Sequence, residues 1–304
     1  MLADADENYA WRVILVATIC LVTSVVMVGL RGYVRRKILR NLGLDDWFLL
    51  AGLVVYIVCI GLCLGSIRYG LSRHVHTTTL PERSEFLKIM WVTSVMYGAL
   101  IMMLKITFLL QYRRVFPLPI FQRLCDASLV FIVIWATAAT LGSLLNCPPI
   151  KSNWDPLRYK DCKERLRFWY AMGVLHVVSD AAIFAMPLPL LQTLTLPRLQ
   201  KGVLMGIFSL GFFTCAISII RLTTLRSSTM SDDPTWAMQN TVLWSTVEVA
   251  CAIICVCIPT LRPLLRLCTG WQKHSNDITE LTPTPRLEEE DGKSAETNIN
   301  GVRI

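Results

Sequence analysis

Charge is scarce in this sequence. Only 17% of its 304 residues are Asp, Glu, Lys or Arg while 54% are hydrophobic, and the mean hydropathy is +0.50. Such a composition cannot furnish a water-facing surface for a soluble globule of this length, so the expected solvent is the bilayer. A basic n-region is lacking before the first apolar stretch: Met1–Ala10 is acidic, and no small-residue cleavage site precedes Arg35, Arg36 and Lys37. A retained signal-anchor helix is therefore expected, with a cleaved signal peptide as the competing reading. No basic stripe interleaved with aromatics accompanies the net charge of +8, which argues against a nucleic-acid partner and for solvated or headgroup-facing basic loops. No internal repeat or pair of broken helices is visible, which disfavours a transporter. No Asn-x-Ser/Thr acceptor or C-terminal retrieval signal assigns a compartment.

Long apolar runs are abundant. A hydrocarbon core about 30 Å thick takes roughly 20 residues of helix, because lipid offers no partner for an unpaired backbone amide. The stretches that fit are Trp11–Leu30, Trp47–Ile67, Leu87–Gln111, Leu124–Asn146, Phe168–Leu191, Val203–Leu225 and Asn240–Leu261. The expected fold class is all-α, a seven-transmembrane-helix bundle with short loops. Residues 1–10 form a short outer N-terminus, 11–267 the membrane domain and 268–304 a disordered cytosolic tail rich in Thr, Pro, Glu and Asp. Arg31, Arg35, Arg36, Lys37 and Arg40 follow the first span and resist translocation, so the N-terminus is expected outside and the C-terminus in the cytosol, in the plasma membrane or an endomembrane. The fourth loop, with Lys151, Arg158, Lys160, Lys163, Arg165 and Arg167, opposes that orientation.

Most of the eleven cysteines lie inside spans and read as small apolar filler. Cys147 and Cys162 differ, since both fall in the fourth loop on the expected oxidising side, and a disulfide between them is expected. No metal site is expected: Cys255 and Cys257 point apart on a helix, and His74 and His76 have no matching ligand motif and read as a solvated loop.

Ionisable side chains within the spans carry most of the functional information, because each costs about 2.5–3.5 kcal/mol at the bilayer centre on insertion scales. They are Lys105, His176, Asp180, Arg221 and Glu248. His176 and Asp180 share one face of the fifth span. Two alternatives stand: the acids and cations pair as interhelical staples, or they line a pocket between spans five, six and seven that binds a ligand or handles protons. Lys105 either snorkels or closes an inner ion pair. Pro187, Pro189 and Pro259 either terminate spans five and seven or loosen their ends.

An ordered set of short motifs resembles the fungal rhodopsin-domain integral membrane proteins of the satratoxin-cluster type, over roughly Leu44 to Leu267. The carriers are Asp45-Asp46-Trp47, Gly70 with His74, the run from Lys105 to Phe116, and Cys147, Pro149, Trp154 and Cys162. Asp180 with Pro187 and Pro189, Gln200-Lys201, Ser218 with Arg221, Trp244 with Glu248, and Pro259 to Leu265 complete it. The position of His176 is often Asn in that family. The resemblance implies a seven-helix membrane protein, often encoded beside fungal secondary-metabolite pathways, with some longer relatives proposed as receptors. Retinal chemistry is not implied, because a Schiff base needs a lysine in the last span and Asn240–Leu261 has none; no cofactor is expected.

The expected role is a membrane-embedded accessory or acid–base catalytic component of a fungal secondary-metabolite pathway, handling a small lipophilic molecule. Asp180, Glu248 and His176 are the catalytic candidates, and Arg221, Lys105 and Trp244 the ligand-binding ones. A receptor-like sensor of a small molecule is the alternative, an efflux helper a weaker one. Membrane lipid, the small molecule, and pathway enzymes or a cytosolic signalling partner are the expected partners.

Overall fold

The computed structural model describes residues 9–145, 149–156, 163–189, 198–230 and 233–261. The Cys147–Cys162 pair and the tail after residue 267 lie outside the described residues. Seven helices are long and apolar enough to cross a membrane. They are α1 (Ala10–Tyr33), α2 (Leu44–Ser66), α3 (Leu80–Val115), α4 (Pro119–Leu145), α5 (Lys163–Ala185), α6 (Arg198–Met230) and α7 (Pro234–Cys257). No strand occurs among the described residues. The protein is a seven-helix, multi-pass membrane bundle.

Local sequence explains the ends of these helices. Thr79 opens α3 through a capping box, its backbone N–H and hydroxyl both donating to Glu82 at 2.8 Å, with Pro81 tolerated in the first turn. Helix α5 stops at Ala185, ahead of Pro187, and α7 passes at Cys257 into a 3-10 turn, Ile258–Leu261, that contains Pro259. The prolines therefore act as terminators. At 36 residues α3 is the longest helix, about 54 Å at the usual rise and so well beyond the hydrocarbon thickness.

Helix α3 is also the hub. It packs on α2, α4, α5 and α7, while α1 meets α2 and α7, and α6 lies between α5 and α7. The main core is built from Leu49, Leu53 and Tyr56 on α2, Leu100, Leu104 and Phe108 on α3, and Val249, Ile253 and Val256 on α7. Many large apolar side chains on α1 and α4, such as Ile19, Val22, Phe131 and Ile134, remain exposed. In water that pattern would be a liability; in lipid it is the expected outer surface. Close approach of α5 and α6 depends on glycine: a Cβ at Gly173 would stand 2.5 Å from Leu222, and one at Gly211 2.6 Å from Phe184.

Candidate functional site

Four helices deliver the intramembrane charges to one place. Lys105 Nζ on α3 lies 2.9 Å from Asp180 Oδ1 on α5, and Arg221 Nε on α6 lies 2.9 Å from Glu248 Oε2 on α7. Ser218, one turn before Arg221, joins the two pairs: its hydroxyl is 3.3 Å from Asp180 Oδ2 and also donates to Glu248 Oε1. Tyr97 donates its hydroxyl to Glu248, and Lys105 also donates to the Ser179 hydroxyl and, at 3.1 Å, to the His176 carbonyl. All five charged or titratable residues are buried. The pairing meets the electrostatic requirement of burial, since one cation accompanies each carboxylate. Lys105 is thus the partner of Asp180 and does not snorkel.

His176 is held differently. Its Nδ1 stands 2.9 Å from Asp180 Oδ2, one turn along the same helix, at ion-pair distance but off the axis a hydrogen bond needs. Neither ring nitrogen has a hydrogen-bond partner among the described residues. Trp135 on α4 meets the ring edge-to-face at 6.5 Å, and its own buried Nε1 is equally unpartnered. Lys105 lies 5.3 Å from the Trp135 ring centroid and Arg221 5.1 Å from that of Tyr97, so both cations sit over aromatic faces.

Cavities adjoin this cluster. One, about 180 Å³, is walled mainly by α2, α3, α6 and α7, including Tyr56, Cys63, Met90, Tyr97, Arg221 and Val249. A second, about 90 Å³, lies among α3, α4, α5 and α6 and is bordered by Trp135, Ser143, His176 and Arg221. The two share Ser94, Tyr97, Trp169, Arg221 and Leu225 as lining residues. A void of about 20 Å³, room for one water, touches Lys105, His176, Asp180 and Glu248. Helix α3 joins spans five, six and seven around the 20 Å³ void, and α5 lends the 180 Å³ cavity only Trp169. Trp244 is half-buried on α7 and borders none of the three cavities.

Ligand atoms of His176, Asp180 and Glu248 all lie within 4.8 Å of one another, near enough to share a cation. Lys105 and Arg221 already occupy the two carboxylates, so a divalent ion would have to displace an ammonium and a guanidinium. The donor set suits an internally neutralised cluster better than a metal cage.

A second ionic cluster closes one end of the bundle. Arg31 on α1 is 2.5 Å from Asp45 and 2.9 Å from Asp46 on α2, and donates to Gln111 on α3 at 2.8 Å and to the Val256 carbonyl on α7 at 2.6 Å. Arg35 and Arg114 also reach Asp45, at 3.0 and 3.3 Å. Arg31 is 1% exposed. The sequence reads Arg31 and Arg35 as solvated or headgroup-facing cations, and the structure buries both. Tyr97, Trp135 and Ser179 were missed altogether, because uncharged side chains in an apolar span carry no signal beyond core packing.

At the opposite end His74 and His76 stack at 5.5 Å, and His74 also stacks on Trp236 at 4.4 Å and pairs with Asp233 at 2.6 Å. Burial pushes the Asp233 carboxyl up, but hydrogen bonds from His74, Val75 N–H, Thr235 and Trp236 N–H outweigh it and hold the group below its usual range. His74 thus joins the loop before α3 to the start of α7, where a solvated loop was expected, and His76 stays exposed.

A helical membrane bundle with paired charges at its centre and cavities beside them is the class these observations define. The chain belongs to the fungal rhodopsin domain family, whose model matches residues 30–267. It is 22% identical over 260 residues to the polyenoic acids biosynthesis gene cluster protein Ba17b of Metarhizium anisopliae, covering 80% of this chain and 70% of that one. It is 25% identical over 259 residues to the receptor GIN3 of Arthrobotrys oligospora, covering 83% and 62%, and 24% identical over 204 residues to a SAT4 family membrane protein of Emericella nidulans, covering 66% and 51%. This chain therefore spans only part of each relative's length. No solved structure matches it.

Proposed function

We propose that this protein binds a small lipophilic metabolite within its helical bundle and acts as a membrane-embedded accessory or acid–base component of a fungal secondary-metabolite pathway. The observation that carries this reading is the cavity of about 180 Å³, apolar over most of its wall and polar where Arg221 and Tyr97 enter it. A site with an apolar body and a few convergent polar groups suits a hydrophobic molecule with one polar end. A relative named for a polyenoic acids biosynthesis cluster supports the pathway context. Pathway enzymes in the same membrane are the proposed partners, with the N-terminus outside and the C-terminus cytosolic, in the plasma membrane or an endomembrane.

Sensing is the second reading. It is favoured by the named receptor among the relatives and by the Arg31 cluster, which ties α1, α2, α3 and α7 together at one end and would report a shift in any of them. Metabolite profiling of a deletion strain, complemented with wild type or with Ser245→Phe to fill the large cavity, separates the readings. An intermediate that accumulates in the deletion and in the filled variant supports the pathway role. An unchanged profile with a lost transcriptional response to added metabolite supports sensing, and rescue of both phenotypes by Ser245→Phe contradicts use of the cavity.

A further inference from the structure

The smaller cavity holds more unused hydrogen-bonding capacity than the ion pairs need. His176 is 6% exposed and both ring nitrogens lack a hydrogen-bond partner among the described residues. Trp135 Nε1 is a second buried, unpartnered group on the same cavity. Arg221 is the third: its buried Nε stands 2.9 Å from Glu248 Oε2 but makes no hydrogen bond among the described residues. Buried polar atoms are nearly always satisfied in folded proteins. Three orphans around one space of about 90 Å³ therefore mark a place built for a polar group from outside the chain.

The chemistry of the three donors narrows that group. Arg221 and Trp135 only donate, so the incoming atoms accept. Asp180 stands 2.9 Å from Nδ1 of His176, so Nε2 is the ring nitrogen without an ion-pair partner among the described residues. Charge counting adds a second constraint. Lys105 and Arg221 balance Asp180 and Glu248, so a bare anion would unbalance the site, whereas an anion arriving with its proton would not. A carboxylic acid satisfies both conditions. Its O–H donates to His176 Nε2, and its carbonyl oxygen accepts from Arg221 and Trp135.

We propose that the protein recognises lipophilic carboxylic acids, with the acid head in the His176–Trp135–Arg221 cavity and the apolar chain in the larger one, which shares Tyr97, Trp169 and Arg221 as wall. This deepens the lipophile-binding reading and rests on it. The groups facing His176 are Asp180 on its own helix, Lys105 and Tyr97 on α3, Trp135 on α4, Arg221 on α6 and Glu248 on α7.

The full chain in lipid nanodiscs is titrated with a fluorescent conjugated-polyene fatty acid, then competed with decanoic acid, its methyl ester and decanol. The acid is expected to bind at least tenfold more tightly than the ester or alcohol. Trp135→Phe, which keeps the ring and removes the donor, should weaken the acid about threefold to tenfold and leave the ester unchanged. Because the acid enters with its proton, its affinity should fall about tenfold per pH unit in alkaline solution, and His176→Gln should weaken the acid severalfold while leaving the ester unchanged. Equal binding of acid and ester, with Trp135→Phe moving neither, overturns the acid-head proposal and leaves lipophile binding standing. Failure of all the probes to bind wild-type protein overturns the lipophile reading itself. Should His176→Gln fail to fold, the ester comparison and Trp135→Phe decide the matter alone.

Discussion

Two buried charge clusters stand out among the described residues, and they differ in what lies beside them. At the Arg31 end, Asp45 receives three guanidiniums at 2.5, 3.0 and 3.3 Å, and none of the three cavities borders the cluster. At the centre, each carboxylate has its cation, yet His176, Trp135 and Arg221 keep unspent hydrogen-bonding atoms beside empty space. Burial of charge alone does not identify a functional site, since interhelical stapling buries charge as well. Arg35 Nε at the Arg31 end is also buried without a hydrogen-bond partner, so what separates the two is the cavity that adjoins the unspent atoms at the centre.

The sharpest way to break the comparison is at the Arg31 cluster. Asp45→Asn leaves three arginines facing a neutral group and should cost about 3–5 kcal/mol of stability, read as a fall in melting temperature of the purified protein. Ligand affinity per folded molecule should stay within about twofold. At the centre, Lys105→Met or Asp180→Leu alone strands a charge and should cost a similar amount, about 3 kcal/mol or more. The double variant restores neutrality and should recover most of that loss while still weakening acid binding severalfold, because His176 has lost the carboxylate that orients it. Recovery of both stability and acid affinity would place the central cluster with the staples.

Two smaller effects sharpen the boundary. Tyr97→Phe removes one hydrogen bond to Glu248 and should cost about 1–2 kcal/mol in thermal unfolding. Asp233→Asn acts at the exposed His74 contact and should cost less than about 1 kcal/mol. Because the Asp233 carboxyl is held below its unfolded value of about 3.9, its contribution is full above that pH and is lost as pH falls through the folded value. Melting curves of wild type and Asp233→Asn should therefore converge in acid and separate toward neutral pH.

Helix number and type were legible because a membrane span needs a long apolar run and leaves little choice of structure. Ends were less so: α3 runs seven residues past its expected start at Leu87, because the Thr79–Glu82 capping box lies upstream of the apolar stretch. The ionisable residues of the site were legible for the same reason as the spans, since charge in lipid demands a partner. Pairing was not. Nothing in the spacing says that Lys105 chooses Asp180 and Arg221 chooses Glu248, nor that α3 rather than α5 walls the main cavity, because helix rotation and neighbour order are tertiary properties. Arg31 shows the opposite failure, since its place just beyond an apolar run reads as solvated and only the fold brings Asp45, Asp46 and Gln111 around it.

Native mass spectrometry of the full chain purified from its own membranes, comparing wild type with Ser245→Phe, tests the central claim most directly. The account predicts a small lipophilic molecule retained by wild type and lost from the filled variant, with both proteins equally stable. Retention of the same molecule at the same level by both, or by neither after incubation with the producing organism's lipid extract, would contradict it.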